Sequence, residues 1–337
     1  MRVDVTRGDL IESVHEVIAC LADACGDVVF GSGDIETPVF LRSTAKPFIA
    51  AAAIEAGARE AFDLDMREIA VMCASHNGEP FHVAAVESIL NKIGMDASAL
   101  QCGAHLPYNE GIAHAMLRRG EEPTALHNNC SGKHAGILAM CKAIGADPDT
   151  YMDPANPVQQ QILSFCARLS DDDPQTWPLG VDGCGIPVYA TGMRRAAMAF
   201  ARFATLSEMR ARDAQALLVV RDAMVSHPEY VAGTGAFDTV LMRAAGGGVA
   251  AKVGAEGVHG VAIMSRALGF ASKVVDGGSR ARPPVTVAAL EALGVTLAAS
   301  AELAAFAHPM VYNRAGRQVG AIRVAADFAI EQASTRT

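Results

Sequence analysis

A chain of 337 residues, 51% of them hydrophobic, is long enough to bury a large core in one domain or in two interleaved ones. Its formal net charge of −9, with no cluster of Lys and Arg, excludes the electrostatic footprint of a nucleic-acid binder. No run of about 18 apolar residues offers a membrane span, and the charged opening MRVDVTRGDLIESVHE lacks the apolar core of a signal peptide, so a cytoplasmic protein with a small-molecule partner is expected.

In chain order, VHEVIACLADACGDVVF (14–30) is rich in β-branched residues and broken by Cys25-Gly26-Asp27, which predicts a hairpin turning near Gly26. TAKPFIAAAAIEAG predicts a helix from Thr44 to about Ala56 with Gly57 as its stop, and SGKHAGILAMCKAIG predicts another with Ser131 as N-cap and Gly145 as stop. Further helices are expected near 82–93, 156–168 and 212–225. GGGVAAKVGAEGVHGVAIM holds two short apolar runs around Gly254-Ala255-Glu256-Gly257, a second hairpin. FASKVVDGG and PMVYNRAGRQVGAIRV, with its Asn313–Gly316 turn, supply more strands. Strands at both ends and helices between them predict an α+β fold. The antiparallel sheet would come from residues 1–64 and 231–337, packed against a mainly helical part, 65–230.

Pro47 places its helix start well, because proline is tolerated where its missing N–H has no intrahelical partner. That puts Ser43 at or just before the N-cap, with Lys46 three residues on. The pair is either a nucleophile with its base at the positive end of a helix, or an ordinary capping serine beside a solvated lysine. Two further patterns tip the balance toward chemistry. CASHNGE holds Ser75-His76-Asn77, an S-x-N, and AAKVGAEG holds Lys252-Val253-Gly254, a K-x-G on a predicted strand. With Ser43-x-x-Lys46 they give, in order, the S-x-x-K, S-x-N and K-x-G trio of penicillin-recognising serine enzymes.

The eight cysteines include no C-x-x-C pair. Cys20, Cys73, Cys141 and Cys166 lie in apolar stretches and read as small hydrophobes. Cys130 in NNCSGKH and Cys184 in VDGCGIP have polar, glycine-rich neighbours that let other groups approach, which makes them candidate metal ligands; on donor chemistry alone His134 is the third ligand of choice. The P-loop look of HNNCSGKH fails because His127 stands where the first glycine belongs. Gly246-Gly247-Gly248 precedes a strand, so no dinucleotide fingerprint forms.

Taken together, VTRG, ESVH, RSTAKP, CASHNGEP, NNCSGKHAGILA, VDGCGIP, KVGAEGV and NRAGRQVG resemble the motifs of the bacterial asparaginase II family, the rhizobial-type L-asparaginases, from about Val5 to Val324. The resemblance implies a serine β-lactamase/glutaminase-like fold, a homodimer, and hydrolysis of L-asparagine to L-aspartate and ammonia. It implies two Ser-Lys tandems, Ser43 with Lys46 and Ser75 with Lys252. It also implies one zinc ion per chain on Cys130, Lys133 and Cys184, and a substrate pocket lined by Arg42, His76 and Asp182. In charge, Arg42 suits an α-carboxylate and Asp182 an α-amino group. The chain departs from the family in one place, where Glu16-Val17 stand near His15 instead of a glycine. The alternatives are a β-lactamase or transpeptidase, which would need export, a glutaminase, and a non-catalytic metal-dependent binding protein.

Overall fold

The computed structural model describes residues 1–325. Eleven strands carry the sheet pattern: β1 (Arg2–Arg7), β2 (Leu10–Ala22), β3 (Val28–Ser32), β4 (Val39–Phe40), β5 (Leu179–Val181), β6 (Pro187–Thr191), β7 (Val249–Val253), β8 (Val258–Ile263), β9 (Leu268–Val274), β10 (Met310–Tyr312) and β11 (Gln318–Val324). The main sheet runs in the order β10-β11-β1-β2-β9-β8-β7, with β3 also paired to β2. Its pairs are antiparallel, and Val3 lies opposite Val324, so both ends of the chain enter one sheet as expected.

The chain separates into two compact units. The sheet unit holds Met1–Thr44, Thr191–Glu208 and the chain from Val240; the helical unit holds Ala45–Ala190 and Met209–Thr239. These borders differ from the sequence division at 64/65 and 230/231. Helix Lys46–Glu55 belongs to the helical unit and helix Met193–Thr205 to the sheet unit. An apolar helical pattern does not reveal which layer the helix covers.

In the sheet unit, helix Met193–Thr205 lies on β2, β8 and β9. Gly269 makes that close approach possible, since a Cβ there would sit 2.0 Å from the Ala197 carbonyl oxygen. In the helical unit, Lys46–Ile54 is buried along its whole length. Such a helix, apolar all round, belongs at the centre of a bundle. Helices Ser131–Ile144, Pro157–Ser170 and Ala211–Ser226 surround it. No described helix is long and apolar enough to cross a membrane.

Candidate active site

The first of the three motifs sits on a 3-10 turn, Arg42–Ala45, that runs directly into helix Lys46–Glu55. Thr44 closes the turn by donating both its backbone N–H (3.1 Å) and its hydroxyl (2.5 Å) to the Leu41 carbonyl. Pro47 stands in the first helical turn as expected, but the N-cap is Ala45 and no side chain caps it. Ser43 therefore lies two residues ahead of the cap, and its hydroxyl is not spent on capping. The bland reading of this serine loses its basis.

Lys46 is buried, and its Nζ donates to Ala74 O at 2.5 Å, Ser75 Oγ at 3.0 Å and Asn129 O at 3.5 Å, with the Cys130 thiol also beside it. Burial pulls its pKa below the ordinary lysine value; the positive charge of Lys133 acts the same way, while thiolate charge at Cys130 opposes it. Ser75 follows helix Met66–Met72 and donates its backbone N–H to Val231 O. Two glycines bring that helix in close. A Cβ on Gly132 would lie 2.0 Å from Val71 O, and one on Gly136 would press on Met72. The spacing in S-G-K-H-A-G thus clears one helix face so that Ser75 can meet Lys46.

The third motif is placed by similar means in the sheet unit. Lys252 is buried on β7, opposite Gly260, and donates to Val253 O at 2.7 Å. Gly254 passes the turn so closely that a Cβ would meet Thr44 Cγ2 at 3.0 Å and Leu41 O at 3.1 Å. The glycine of K-x-G is what lets this strand run beside the Ser43 turn.

Both ring nitrogens of His76 are bonded within the protein. Its Nδ1 accepts the Gly78 N–H (3.1 Å), and its Nε2 donates to Ser131 Oγ (2.9 Å), whose own proton goes to Leu126 O. Both nitrogens are committed within the protein, so the ring is neutral and holds the S-x-N loop in place. Burial lowers its pKa well below the ordinary histidine value. His82 stacks on it at 4.8 Å and has the same tautomer, accepting from Glu79 N–H and donating to Glu229 O.

Cys130, Asp182 and Cys184 bring their ligand atoms within 4.8 Å of one another. Lys133 joins them, with Nζ 2.8 Å from Cys184 Sγ and 3.8 Å from Asp182 Oδ2. Cys130 caps helix Ser131–Ile144, and Cys184 rides the Asp182–Gly185 turn between β5 and β6. The Cys184 thiol holds Cys130 well below the ordinary cysteine range, with the Lys133 and Lys46 charges adding to the effect; Cys184 is pushed up in turn by its bond to Cys130. Burial lowers Lys133, but the thiolate charge of the cysteines and Asp182 outweighs it.

Two expectations change, and one residue escaped notice. Helix Ser131–Ile144 is capped one residue earlier than expected, because Asn128 Oδ1 takes the Cys130 N–H at 2.8 Å and frees the Ser131 hydroxyl for His76. His134, the expected third ligand on donor chemistry, puts its Nδ1 against Tyr151 Oη (2.6 Å), and Lys133 takes its place beside the thiols. Asn129 went unnoticed in the sequence, although its carbonyl receives Lys46 and its N–H is held by His105. The doubled Asn in HNNC was the available signal.

No curated protein shows significant sequence similarity to the chain. Among solved structures, a β-lactamase from Mycobacterium bovis is similar over 83% of this chain and 95% of its own, at 14% identity and a TM-score of 0.43, too distant to bear on activity. The family model described as L-asparaginase II matches residues 3–324, a span that takes in every motif placed above. On that match the chain belongs to the L-asparaginase II family and is an amidohydrolase of asparaginase type.

Proposed function

We propose that this enzyme hydrolyses the side-chain amide of L-asparagine to L-aspartate and ammonia through a seryl ester. The observation that supports the reading is Lys46, a buried amine bonded to two main-chain carbonyls and, at 3.0 Å, to the hydroxyl of Ser75, the serine of the second tandem. A lysine in that setting is depressed toward neutrality, which is what a base must be. Neutral Lys46 takes the Ser43 proton as Oγ attacks the amide carbon, and backbone N–H groups at the helix start receive the oxyanion. Ser75 and Lys252 return a proton to the departing ammonia, and water then splits the ester. Arg42 pairs with the α-carboxylate and Asp182 with the α-amino group, while His76 keeps the Ser75 loop in register.

Two thiols, one held toward thiolate, with an amine at 2.8 Å form a donor set that suits zinc. Cys130, Cys184 and, once deprotonated, Lys133 would hold the ion, which would supply a fixed positive charge to orient the substrate. One ion per chain is expected, checked by elemental analysis of purified protein beside Cys130→Ala. On the family's precedent the enzyme works as a cytoplasmic homodimer, which sedimentation tests.

Ammonia release should be measured from asparagine and glutamine beside turnover of a chromogenic cephalosporin. Release from asparagine, with the cephalosporin untouched, is expected. Turnover of the cephalosporin alone would replace this reading with a β-lactamase.

A further inference from the structure

The Ser75–Asn77 loop hangs between two other segments of the helical unit. At one end Ser75 donates its N–H to Val231 O at 3.0 Å, and at the other Asn77 O accepts the Asn109 N–H at 3.0 Å. Both segments come in against glycine. A Cβ on Gly78 would lie 2.8 Å from Pro107 Cβ, and one on Gly233 would lie 2.4 Å from Asn77 Nδ2. The contact points Pro107, Asn109 and Gly233 lie outside any helix or strand, so regular backbone bonding does not fix them. The loop is only as well placed as the segments beside it.

One buried side chain ties those two segments together. Glu79, the N-cap of helix Pro80–Lys92, accepts Asn109 Nδ2 on Oε1 at 3.1 Å. Its Oε2 accepts the backbone N–H and the hydroxyl of Thr234 at 3.0 and 3.2 Å. His82 Nδ1, 3.9 Å from Oε2, accepts the Glu79 N–H and so brings no positive charge. Among the described residues no lysine or arginine pairs with this carboxylate. Burying a charge among neutral donors is costly, and the donor geometry gives the reason for it. Donors arrive on both oxygens, from two segments, and a carboxylate accepts on both where glutamine would accept on one. Asn109 cannot turn its amide to suit a glutamine, because its Oδ1 caps helix Glu110–Arg119 by accepting the Ile112 N–H at 3.2 Å.

We propose that Glu79 is a positioning residue for Ser75: by joining the Asn109 and Thr234 segments it holds the Ser75 hydroxyl 3.0 Å from Lys46 Nζ. The inference rests on the proton-returning role given to Ser75 above. Glu79 acts on the placement of that hydroxyl and not on the groups assigned to the charged ends of the substrate. Its loss should therefore appear in kcat, with KM little changed.

Ammonia release from asparagine by Glu79→Gln, Asn109→Asp and the double variant, beside Ser75→Ala, tests it. Glu79→Gln turns an amide N–H toward the Asn109 amide, two donors face to face, and kcat should fall about 30-fold with KM within about threefold of wild type. Asn109→Asp sets two carboxylates together and should lower kcat about tenfold. In the double variant the new amide donates to the new carboxylate, whose other oxygen still accepts the Ile112 N–H, and kcat should return to within about threefold of wild type. Thermal melts establish that each variant is folded at the assay temperature. Wild-type kcat in Glu79→Gln, with Ser75→Ala impaired about a hundredfold or more, would overturn the proposal and leave the mechanism standing. A double variant no better than Glu79→Gln would do the same. Full activity in Ser75→Ala would overturn the mechanism, and the proposal with it.

Discussion

Lys46 shows how one side chain sets the chemistry. Its bonds to two carbonyls and a hydroxyl supply no countercharge, and burial prevails over the Cys130 charge that would hold the proton. Activity should therefore rise with pH through an ionisation below the ordinary lysine value near 10.5. The sign follows from the neutral form being the base. A kcat/KM profile compared with kcat at saturation checks this, since the substrate amine titrates nearby; an enzyme-derived limb that peaks near pH 6 would point to a histidine base instead. Ser43→Ala should cost on the order of 10³-fold or more in ammonia release, and Lys46→Met should be comparably severe. A variant keeping a tenth of the activity would remove its residue from the mechanism. At this scale the motif residues were legible because chemistry restricts residue type: S-x-x-K, S-x-N and K-x-G name Ser43, Lys46, Ser75 and Lys252 directly. Backbone groups such as the Asn129 and Ala74 carbonyls were not, because every residue carries a carbonyl and only folding selects which one faces an amine.

Elements were legible where turn chemistry marks them. The hairpins at Gly26, Gly257 and Gly316 and the helix stop at Gly145 follow from positions that need a left-handed backbone. Helix starts were less so, since Cys130, its N–H held by Asn128 Oδ1, takes the N-cap position expected for Ser131. Close approach is the hidden variable. Gly132 looks like a weak spot in a helix, yet it is the point where Val71 O presses against the helix. Gly132→Ala should destabilise by about 3 kcal/mol despite better helix propensity, because the backbone contact cannot give way. Denaturant unfolding measures this, and a neutral or stabilised variant would contradict the packing. Activity should fall with stability retained in part, since Ser75 hangs on the same contact.

Across the whole molecule, buried neutral histidines set a pH limit. His82 is held down to about 4, mainly by burial, with Glu79 and Glu229 pulling the other way, and His76 is lowered too, by burial and by the charges of His82, Lys46, His105 and His127. A lowered folded pKa gives stability that is complete above the unfolded value near 6.5 and is lost as pH falls toward the folded one. His82 alone should remove about 3 kcal/mol between pH 6.5 and 4. Calorimetric melts should show Tm falling from the upper end of that window, above the carboxylate range, and His82→Gln should make the decline shallower. A flat Tm down to pH 5 would contradict it. The division into units was the least legible property, because an all-apolar helix such as Lys46–Glu55 and an amphipathic one such as Met193–Thr205 each show a face to bury without naming the layer that meets it.

The pairing of β1 with β11 also governs how the chain is made. Strand β1 leaves the ribosome before its partner, which follows roughly 300 residues later, about 15–60 s at 5–20 residues per second. The helical unit is fully synthesised by Thr239 and can fold meanwhile, burying Lys46 and gathering Cys130 with Cys184. Strands β1 to β3 must wait with open edges for β7 to β11, a period in which exposed hydrogen-bonding groups invite pairing with other chains. A nascent chain therefore carries Lys46 and Ser75 in a finished fold while Ser43 waits in an unfinished one for the strand that brings Lys252.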